Sequence, residues 1–462
     1  MNRIALRANI ILVIAGLLLS GFGFFLVEYS MEADDWIMTQ GSPHVYDSKN
    51  DITTGVVIDR DGVLLLDLHD GRTYSNVEDI RISTVHWLGD RERNISSQIL
   101  STYDDEMMGY DKFSGMYSYA GSGGVMELTL SSRVQTVALE AMGNYRGTVA
   151  VYNYKTGQLL CAVSTPGLDP DDPPTVTEDN QADYDSIYYH RFIQSAYIPG
   201  SIFKIVTLAA ALEEIPDILD QTFTCKGEYT IGDKTIVCDG THWDQNLQTA
   251  FRNSCNCAFA QIAQQLGGDR MARYVDKFGL TDTISFDGFT TAPGNYSAED
   301  EDNNGNDYEV AWSGVGQYKD QINPCSFMTF VGAIANGGVP AMPYVVESVN
   351  CDNSTTYQAK TQVGQRIMSK ETASLVCQYM TANVQEKYGA SNFPDLTVGA
   401  KTGTGEVGGG KKPNAMFTGF VADERYPLAF IVTVENGGYG RSVCMPIATK
   451  VIAACKEVID QS

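Results

Sequence analysis

The first hydrophobic segment of the chain is long enough to cross a membrane. An uncharged stretch runs from Ala8 to Val27, and a helix of about 20 residues spans a bilayer. Arg3 and Arg7 precede it and acidic residues follow it, which favours a cytoplasmic N-terminus. A cleaved signal peptide is the alternative, but the stretch is long for one and no small-x-small cleavage site follows. We therefore expect a single-pass anchor in the cell membrane, with the remainder of the chain extracytoplasmic.

Downstream, the hydrophobic pattern predicts both strands and helices. Two β-like runs, Thr54–Ile58 and Val63–Leu66, are joined at Asp61-Gly62, which indicates a hairpin. Helices are predicted over about Ser131–Met142 and over Pro446–Ile459. Because strands lie at both ends of the main part and helices lie between them, the pattern predicts an α+β fold.

The same pattern divides the chain into four parts. They are a cytoplasmic stub (1–7), the transmembrane anchor (8–27), a short N-terminal extracytoplasmic segment (28–122) and a large C-terminal domain (123–462). The glycine-rich stretch Gly121–Gly124 is interpreted as the hinge before the large domain. The acidic run Glu299–Asn304 is interpreted as a solvated loop.

Ser201-Ile-Phe-Lys204 is the first candidate for chemistry. It follows Pro199-Gly200 and precedes an apolar, alanine-rich run, so we expect Ser201 at a helix N-terminus with Lys204 on the same face. A serine hydroxyl needs an adjacent base, and lysine is a base only where burial or a neighbouring cation lowers its pKa. Lys401 is the expected cation. Taken alone, the motif favours a capping serine beside a solvated lysine, and only the other two motifs reverse that preference.

Two more short motifs follow. In Ser254-Cys255-Asn256 a polar turn enters an apolar segment, so its hydroxyl and amide are expected to project from a loop, or the serine simply caps a helix. Lys401-Thr402-Gly403-Thr404 follows the strand-like run Leu396–Ala400, and its glycine lets a substrate backbone approach closely. A phosphate-binding loop is excluded because that pattern ends in Gly-Lys, whereas Ala400 precedes Lys401.

In this order the three motifs resemble S-x-x-K, S-D-N and K-T-G of the penicillin-recognising serine acyl-transferases, that is, the penicillin-binding proteins and serine β-lactamases. The resemblance extends from about Gly124 to the C-terminus, and Gly89-Asp90-Arg91 resembles the inter-domain region of class B, monofunctional members. Tyr318 and Gly405 depart from the common family pattern. Further familiar landmarks are Gly147–Val151, Lys155–Gly157, Ala335–Gly338 and Phe417–Phe420.

The resemblance implies the penicillin-binding transpeptidase fold. That fold has a central antiparallel sheet with helices on both sides, here joined to a small β-containing N-terminal domain and one transmembrane helix. The implied function is a membrane-anchored D,D-transpeptidase that cross-links peptidoglycan stem peptides through a serine acyl-enzyme and is covalently inhibited by β-lactams. The alternatives are a D,D-carboxypeptidase or β-lactamase on the same fold, and a β-lactam-binding or wall-assembly scaffold without catalysis.

By this resemblance Ser201 attacks the D-Ala-D-Ala carbonyl and Lys204 takes its proton. The backbone N–H groups of Ser201 and Thr404 would form the oxyanion hole. Glu406 is interpreted as a solvated loop carboxylate rather than a base for hydrolytic water. The implied catalytic set is Ser201, Lys204, Ser254, Asn256 and Lys401, and the implied substrate-binding set is Thr402, Gly403 and Thr404.

Composition limits the partners. The formal net charge of −25 at pH 7 argues against nucleic acid. Expected partners are stem peptides (a D-Ala-D-Ala donor and an amine acceptor), β-lactams and, as is common for class B relatives, a polytopic lipid II polymerase. No cofactor is expected.

Ten cysteines in an exported protein favour disulfides. Cys225 and Cys238 flank a short glycine-containing segment and are the best candidate pair, whereas Cys255 is interpreted as a packing residue. None of the five histidines stands at metal-site spacing from Asp or Cys, so no metal site is predicted.

Overall fold

The computed structural model describes residues 2–37, 46, 52–69, 71–109, 118, 123–181, 184, 186–297, 307–317, 319–352 and 354–461. Two residues of the predicted hinge (Gly121 and Ser122), the loop Glu299–Asn304 and Tyr318 lie outside these residues. The α-helices are α1 Asn2–Ile37, α2 Glu78–Leu88, α3 Gln98–Thr102, α4 Asp104–Met108, α5 Ser132–Met142, α6 Arg191–Gln194, α7 Lys204–Glu214, α8 Leu247–Asn253, α9 Asn256–Leu266, α10 Gly268–Lys277, α11 Asp307–Ser313, α12 Pro324–Ala335, α13 Lys370–Asn383 and α14 Gly440–Gln461. The strands are β1 Val56–Ile58, β2 Leu64–Asp67, β3 Thr73–Tyr74, β4 Gly124–Leu128, β5 Gly147–Asn153, β6 Leu159–Thr165, β7 Phe223–Cys225, β8 Glu228–Ile231, β9 Lys234–Val237, β10 Trp243–Gln245, β11 Ser285–Phe286, β12 Phe289–Thr290, β13 Val346–Cys351, β14 Ser354–Gln358, β15 Val398–Gly405, β16 Asn414–Val421 and β17 Leu428–Val434.

Helix α1 contains the predicted anchor. Its segment Arg3–Glu32 has 30 residues. The most apolar 18-residue window of this segment has a mean hydropathy of 2.7, and none of it is buried against the rest of the protein. A helix of this length and composition fits a single membrane span.

A five-stranded antiparallel sheet forms the centre of the large domain, in the order β15-β16-β17-β5-β6. Side chains alternate between its two faces, as a pleated strand requires. On β16, Ala415 and Phe417 pack into one core with α5 and α14, while Met416 and Phe420 pack into the other core with α7 and α12. The predicted arrangement of helices on both sides of an antiparallel sheet is confirmed.

A second, six-stranded sheet joins distant segments in the order β14-β13-β4-β1-β2-β3. The predicted hairpin is present, because β1 and β2 pair antiparallel. Strand β4 pairs parallel with β1 and antiparallel with β13. Strands from both sides of the predicted boundary at residues 122–123 therefore contribute to one sheet.

Two helix predictions had different outcomes. The helix predicted at Ser131–Met142 is α5, with Ser131 as its N-cap. The last helix begins at Gly440 rather than at Pro446, which lies inside α14. The sequence was misleading here because proline lacks a backbone N–H and is most easily placed in a first turn.

Candidate active site

Ser201 lies in a short 3₁₀ turn, Gly200–Ile202, that leads into α7. Gly200 has φ +55°, and a Cβ atom there would lie 2.2 Å from the carbonyl oxygen of Thr404. A Cβ atom on Gly403 would likewise lie 2.7 Å from the carbonyl oxygen of Pro199. Glycine at both positions therefore lets the Ser201 turn pack directly on β15, which brings the first and third motifs together.

The second motif occupies the junction of two helices. Ser254 ends α8 with φ +57°, and Asn256 is the first residue of α9. The Asn256 Nδ2 atom donates a hydrogen bond to the Val237 carbonyl oxygen at 2.9 Å, so its Oδ1 atom faces the other way, toward Lys204. The left-handed backbone of Ser254 thus turns the chain so that both polar side chains point into one cleft.

Lys204 connects the first and second motifs. Its side chain is 0% exposed, and its Nζ atom lies 2.8 Å from Ser201 Oγ, 2.8 Å from the Ser254 carbonyl oxygen and 2.6 Å from Asn256 Oδ1. The last two atoms are obligate acceptors, so they use both N–H donors of a neutral amine. The remaining lone pair of neutral Lys204 then faces the Ser201 hydroxyl.

Lys401 completes the cleft from β15. Its Nζ atom donates to Ser254 Oγ at 2.9 Å and to the Thr402 carbonyl oxygen at 3.0 Å, and its side chain is also 0% exposed. The Ser254 hydroxyl lies 3.3 Å from Lys204 Nζ as well, so it stands between the two lysines. All five residues predicted as catalytic are thus connected by hydrogen bonds.

Burial controls the charge of both lysines. Burial, with a smaller contribution from the positive charge of Lys387, lowers the pKa of Lys204 to about 8. Burial also lowers the pKa of Lys401 well below its usual value, with a further decrease from the charge on Lys204. Of the two causes considered from the sequence, burial rather than a neighbouring cation is therefore the main reason that Lys204 can lose its proton near neutral pH.

Motif three has neighbours that no sequence pattern identified. The Tyr388 hydroxyl lies 3.1 Å from Thr402 Oγ1 and accepts a hydrogen bond from the Thr402 backbone N–H at 3.2 Å. Gln317 Nε2 donates to the Thr404 carbonyl oxygen at 3.0 Å, which holds the end of β15 next to the Ser201 turn. Glu406 is exposed, in agreement with its interpretation as a solvated carboxylate.

The cysteines near this site differ from the prediction. The structure does not contain a disulfide between Cys225 and Cys238, since both are free thiols. The two lie instead in a buried cluster with Cys255 and Cys257, which flank Asn256. The cluster was missed because its members are far apart in the sequence; the only local signal was the Cys-x-Cys spacing of the last two.

The chain is similar in sequence to known proteins. The profile of the family described as penicillin binding protein transpeptidase domain matches residues 147–453. The chain is 29% identical to peptidoglycan D,D-transpeptidase PbpA of Mycolicibacterium smegmatis over 370 residues, which cover 72% of each protein.

Solved structures give the same result. The D,D-transpeptidase domain of a peptidoglycan glycosyltransferase from Eggerthella lenta superposes with a TM-score of 0.74 at 27% identity, covering 88% of this chain and 98% of that one. A ceftriaxone acyl-enzyme complex of penicillin-binding protein A from M. tuberculosis superposes with a TM-score of 0.75 over 87% of this chain and 98% of that one. At 23% identity, the second likeness concerns the fold alone.

Proposed function

Because this chain belongs to the penicillin-binding protein transpeptidase domain family, we propose that it is a peptidoglycan D,D-transpeptidase that works through an acyl-enzyme on Ser201. The observation that carries the proposal is the 2.8 Å contact between Ser201 Oγ and the amine of fully buried Lys204. A weak nucleophile beside a base with a lowered pKa is the arrangement that nucleophilic catalysis needs.

In the acylation step, Ser201 Oγ attacks the carbonyl carbon between the two terminal D-alanines of a stem peptide. Its proton passes to neutral Lys204, and the negative charge that develops on the carbonyl oxygen is stabilised by the backbone N–H groups of Ser201 and Thr404. Close packing of the Gly200 turn on β15 supports this pairing of N–H groups.

The C–N bond then breaks and the terminal D-alanine leaves as an amine. The Ser254 hydroxyl lies within hydrogen-bond distance of both lysines, so it is placed to pass a proton from Lys204 to the leaving nitrogen. In the second half, the amine of another stem peptide attacks the ester carbonyl, its proton is taken up by the same network, and Ser201 is released.

The substrate carboxylate is assigned to motif three. Lys401 supplies the nearby cationic group, and an approaching carboxylate favours its protonated form. Thr402 and Thr404 are partly exposed on β15 and provide hydroxyl donors, while Gly403 leaves room for the substrate backbone. A β-lactam carries a carboxylate in the corresponding position and would be held by the same groups.

We also propose that the catalytic domain lies outside the cytoplasm. Arg3 and Arg7 at the start of α1 support a cytoplasmic N-terminus, by the excess of basic residues on the inner side of membrane spans. A polytopic lipid II polymerase in the same membrane remains the predicted partner, since it would supply uncross-linked strands to this enzyme.

The acylation rate is expected to rise with pH. Only neutral Lys204 accepts the Ser201 proton, and its pKa is lowered to about 8. Below that value the neutral fraction, and with it the second-order acylation rate, falls about tenfold per pH unit. Stopped-flow acylation by a chromogenic cephalosporin between about pH 6 and pH 9 measures this profile, and a flat profile would contradict the role of Lys204.

Slow penicillin hydrolysis is expected to separate a transpeptidase from a β-lactamase. A β-lactamase positions a base that activates water, whereas the carboxylate next to motif three, Glu406, is exposed. The penicilloyl-enzyme should therefore persist for minutes, and a stem-peptide-like donor should turn over faster when an amine acceptor is added. Steady-state penicillin turnover of about ten per second or more would favour the β-lactamase alternative.

A further inference from the structure

Four cysteine sulfurs meet beside the active site. The Sγ atoms of Cys225, Cys238, Cys255 and Cys257 all lie within 4.8 Å of one another, and all four residues are buried. Cys238 Sγ lies 3.9 Å from Cys255 Sγ. Sulfurs bound to one tetrahedral ion with metal–sulfur bonds of about 2.3 Å are separated by about 3.8 Å, so this spacing fits a metal-binding set.

The four sulfurs come from three parts of the fold. Cys225 ends β7, Cys238 directly follows β9, and Cys255 and Cys257 lie at the start of α9. A shared ion would therefore fasten two small β-hairpins to the turn that carries the second motif. None of the other buried cysteines belongs to this cluster.

The surroundings suit negatively charged sulfur. Cys255 is the N-cap of α9, and its Sγ atom accepts a hydrogen bond from the Ala258 backbone N–H at 3.4 Å. A helix N-terminus stabilises an anionic group there, and it favours the thiolate form of a cysteine. His242 Nδ1 lies 3.5 Å from Cys225 Sγ and 3.6 Å from Cys238 Sγ, so an imidazole N–H can donate to a ligating sulfur from outside the set.

We propose that Cys225, Cys238, Cys255 and Cys257 bind one Zn²⁺ ion. Thiolate is the soft ligand that Zn²⁺ takes in closed tetrahedral structural sites, and no open position is left for substrate. Each thiol loses its proton on binding, so four Zn–S bonds form and four protons are released. The site is structural, and it revises the sequence-based expectation that the chain has no metal site.

The ion would also position two active-site residues. Asn256 lies between two of the ligands, and Ser254 directly precedes the first of them. Fixing both ends of this turn holds the Asn256 Oδ1 atom at 2.6 Å and the Ser254 carbonyl oxygen at 2.8 Å from Lys204 Nζ. This part of the inference rests on the proposed function, whereas the binding of Zn²⁺ does not.

Metal analysis of the full chain, purified in detergent without chelator, tests the site directly. Inductively coupled plasma mass spectrometry is expected to find about one zinc per chain. A mercurial that modifies thiols should release this zinc, detected with a pyridylazo dye. Absence of bound metal after Zn²⁺ is added to the reduced protein would overturn the proposal, as would an intact mass showing that the four cysteines are oxidised to disulfides.

Matched variants connect the zinc to these residues. Cys257→Ser and Cys225→Ser are expected to lose most of the zinc, while Cys377→Ser, a partly buried thiol on α13 that bonds the Ile334 carbonyl oxygen, should keep it. Equal zinc content in all three variants would overturn the assignment. Co²⁺ added to the metal-free wild type gives a second readout that needs no variant, because a tetrahedral thiolate site produces intense visible absorption and an octahedral water-bound one does not.

Acylation by fluorescent penicillin, measured separately, distinguishes the two proposals. Removing zinc should lower the acylation rate by about 100-fold, the cost of misplacing catalytic groups by about 1 Å. Zinc removal that leaves acylation unchanged would overturn the positioning role. Zinc binding without any acylation would overturn the proposed function but not the metal site. Normal acylation in a protein that cannot bind zinc would overturn the metal site but not the proposed function.

Discussion

Replacing Ser201 by alanine is expected to abolish covalent labelling by a fluorescent penicillin. The change removes one partly exposed hydroxyl at the surface of a cleft, so the fold and the thermal unfolding temperature should be retained. The Ser201 hydroxyl lies in a turn before a helix and 2.8 Å from the amine of fully buried Lys204. Gel fluorescence and peptide mapping of the wild type measure the outcome.

A matched serine provides the control for this loss. Ser442→Ala removes an exposed hydroxyl that bonds the Tyr439 carbonyl oxygen near the start of α14, and labelling should be unchanged. Ser254 is the informative competitor, since its hydroxyl also contacts Lys204. A label mapped to Ser254 in the wild type, or labelling that survives in Ser201→Ala, would mean that the nucleophile is misassigned.

The parts of the fold that could be predicted from sequence have local causes. The β1–β2 hairpin follows from two apolar runs on either side of Asp61-Gly62, and α5 follows from helix-forming composition within its own span. The six-stranded sheet could not be predicted in this way. It pairs β4 with β13, whose residues lie more than two hundred positions apart, and only the folded chain brings their edges together.

The candidate site, like the fold, could be predicted from the sequence only in part. Motif order was enough to identify Ser201, Lys204 and Lys401 as members of one site, because proteins that share these motifs are expected to share a fold that brings them together. The sequence alone could not show that burial is what lowers the pKa of Lys204, because burial depends on how α9 and β15 pack around it. The thiol cluster could not be predicted for a related reason. Sequence spacing suggested one pair of cysteines, whereas the fold brings four cysteines together.

Lys204→Arg is expected to lower the acylation rate by about two to four orders of magnitude, the usual range for loss of a general base. The guanidinium keeps the positive charge but does not lose its proton in proteins, so no lone pair faces Ser201. Stopped-flow acylation by a chromogenic cephalosporin gives the rate, and the pH dependence with a midpoint near 8 should disappear in the variant.

Because Lys204 is fully buried, the larger arginine can also disturb packing, and a second variant separates the two effects. Lys204→Met has a side chain of similar length without a base, so it should be as slow as Lys204→Arg if the missing lone pair is the cause. Lys155→Arg, at an exposed lysine that bonds Asn336 outside the cleft, should acylate normally. Near-normal acylation by either Lys204 variant, in protein whose unfolding temperature is retained, would require another group to take the Ser201 proton. Lys401 would be the next candidate, because its amine donates to the same Ser254 hydroxyl that contacts Lys204.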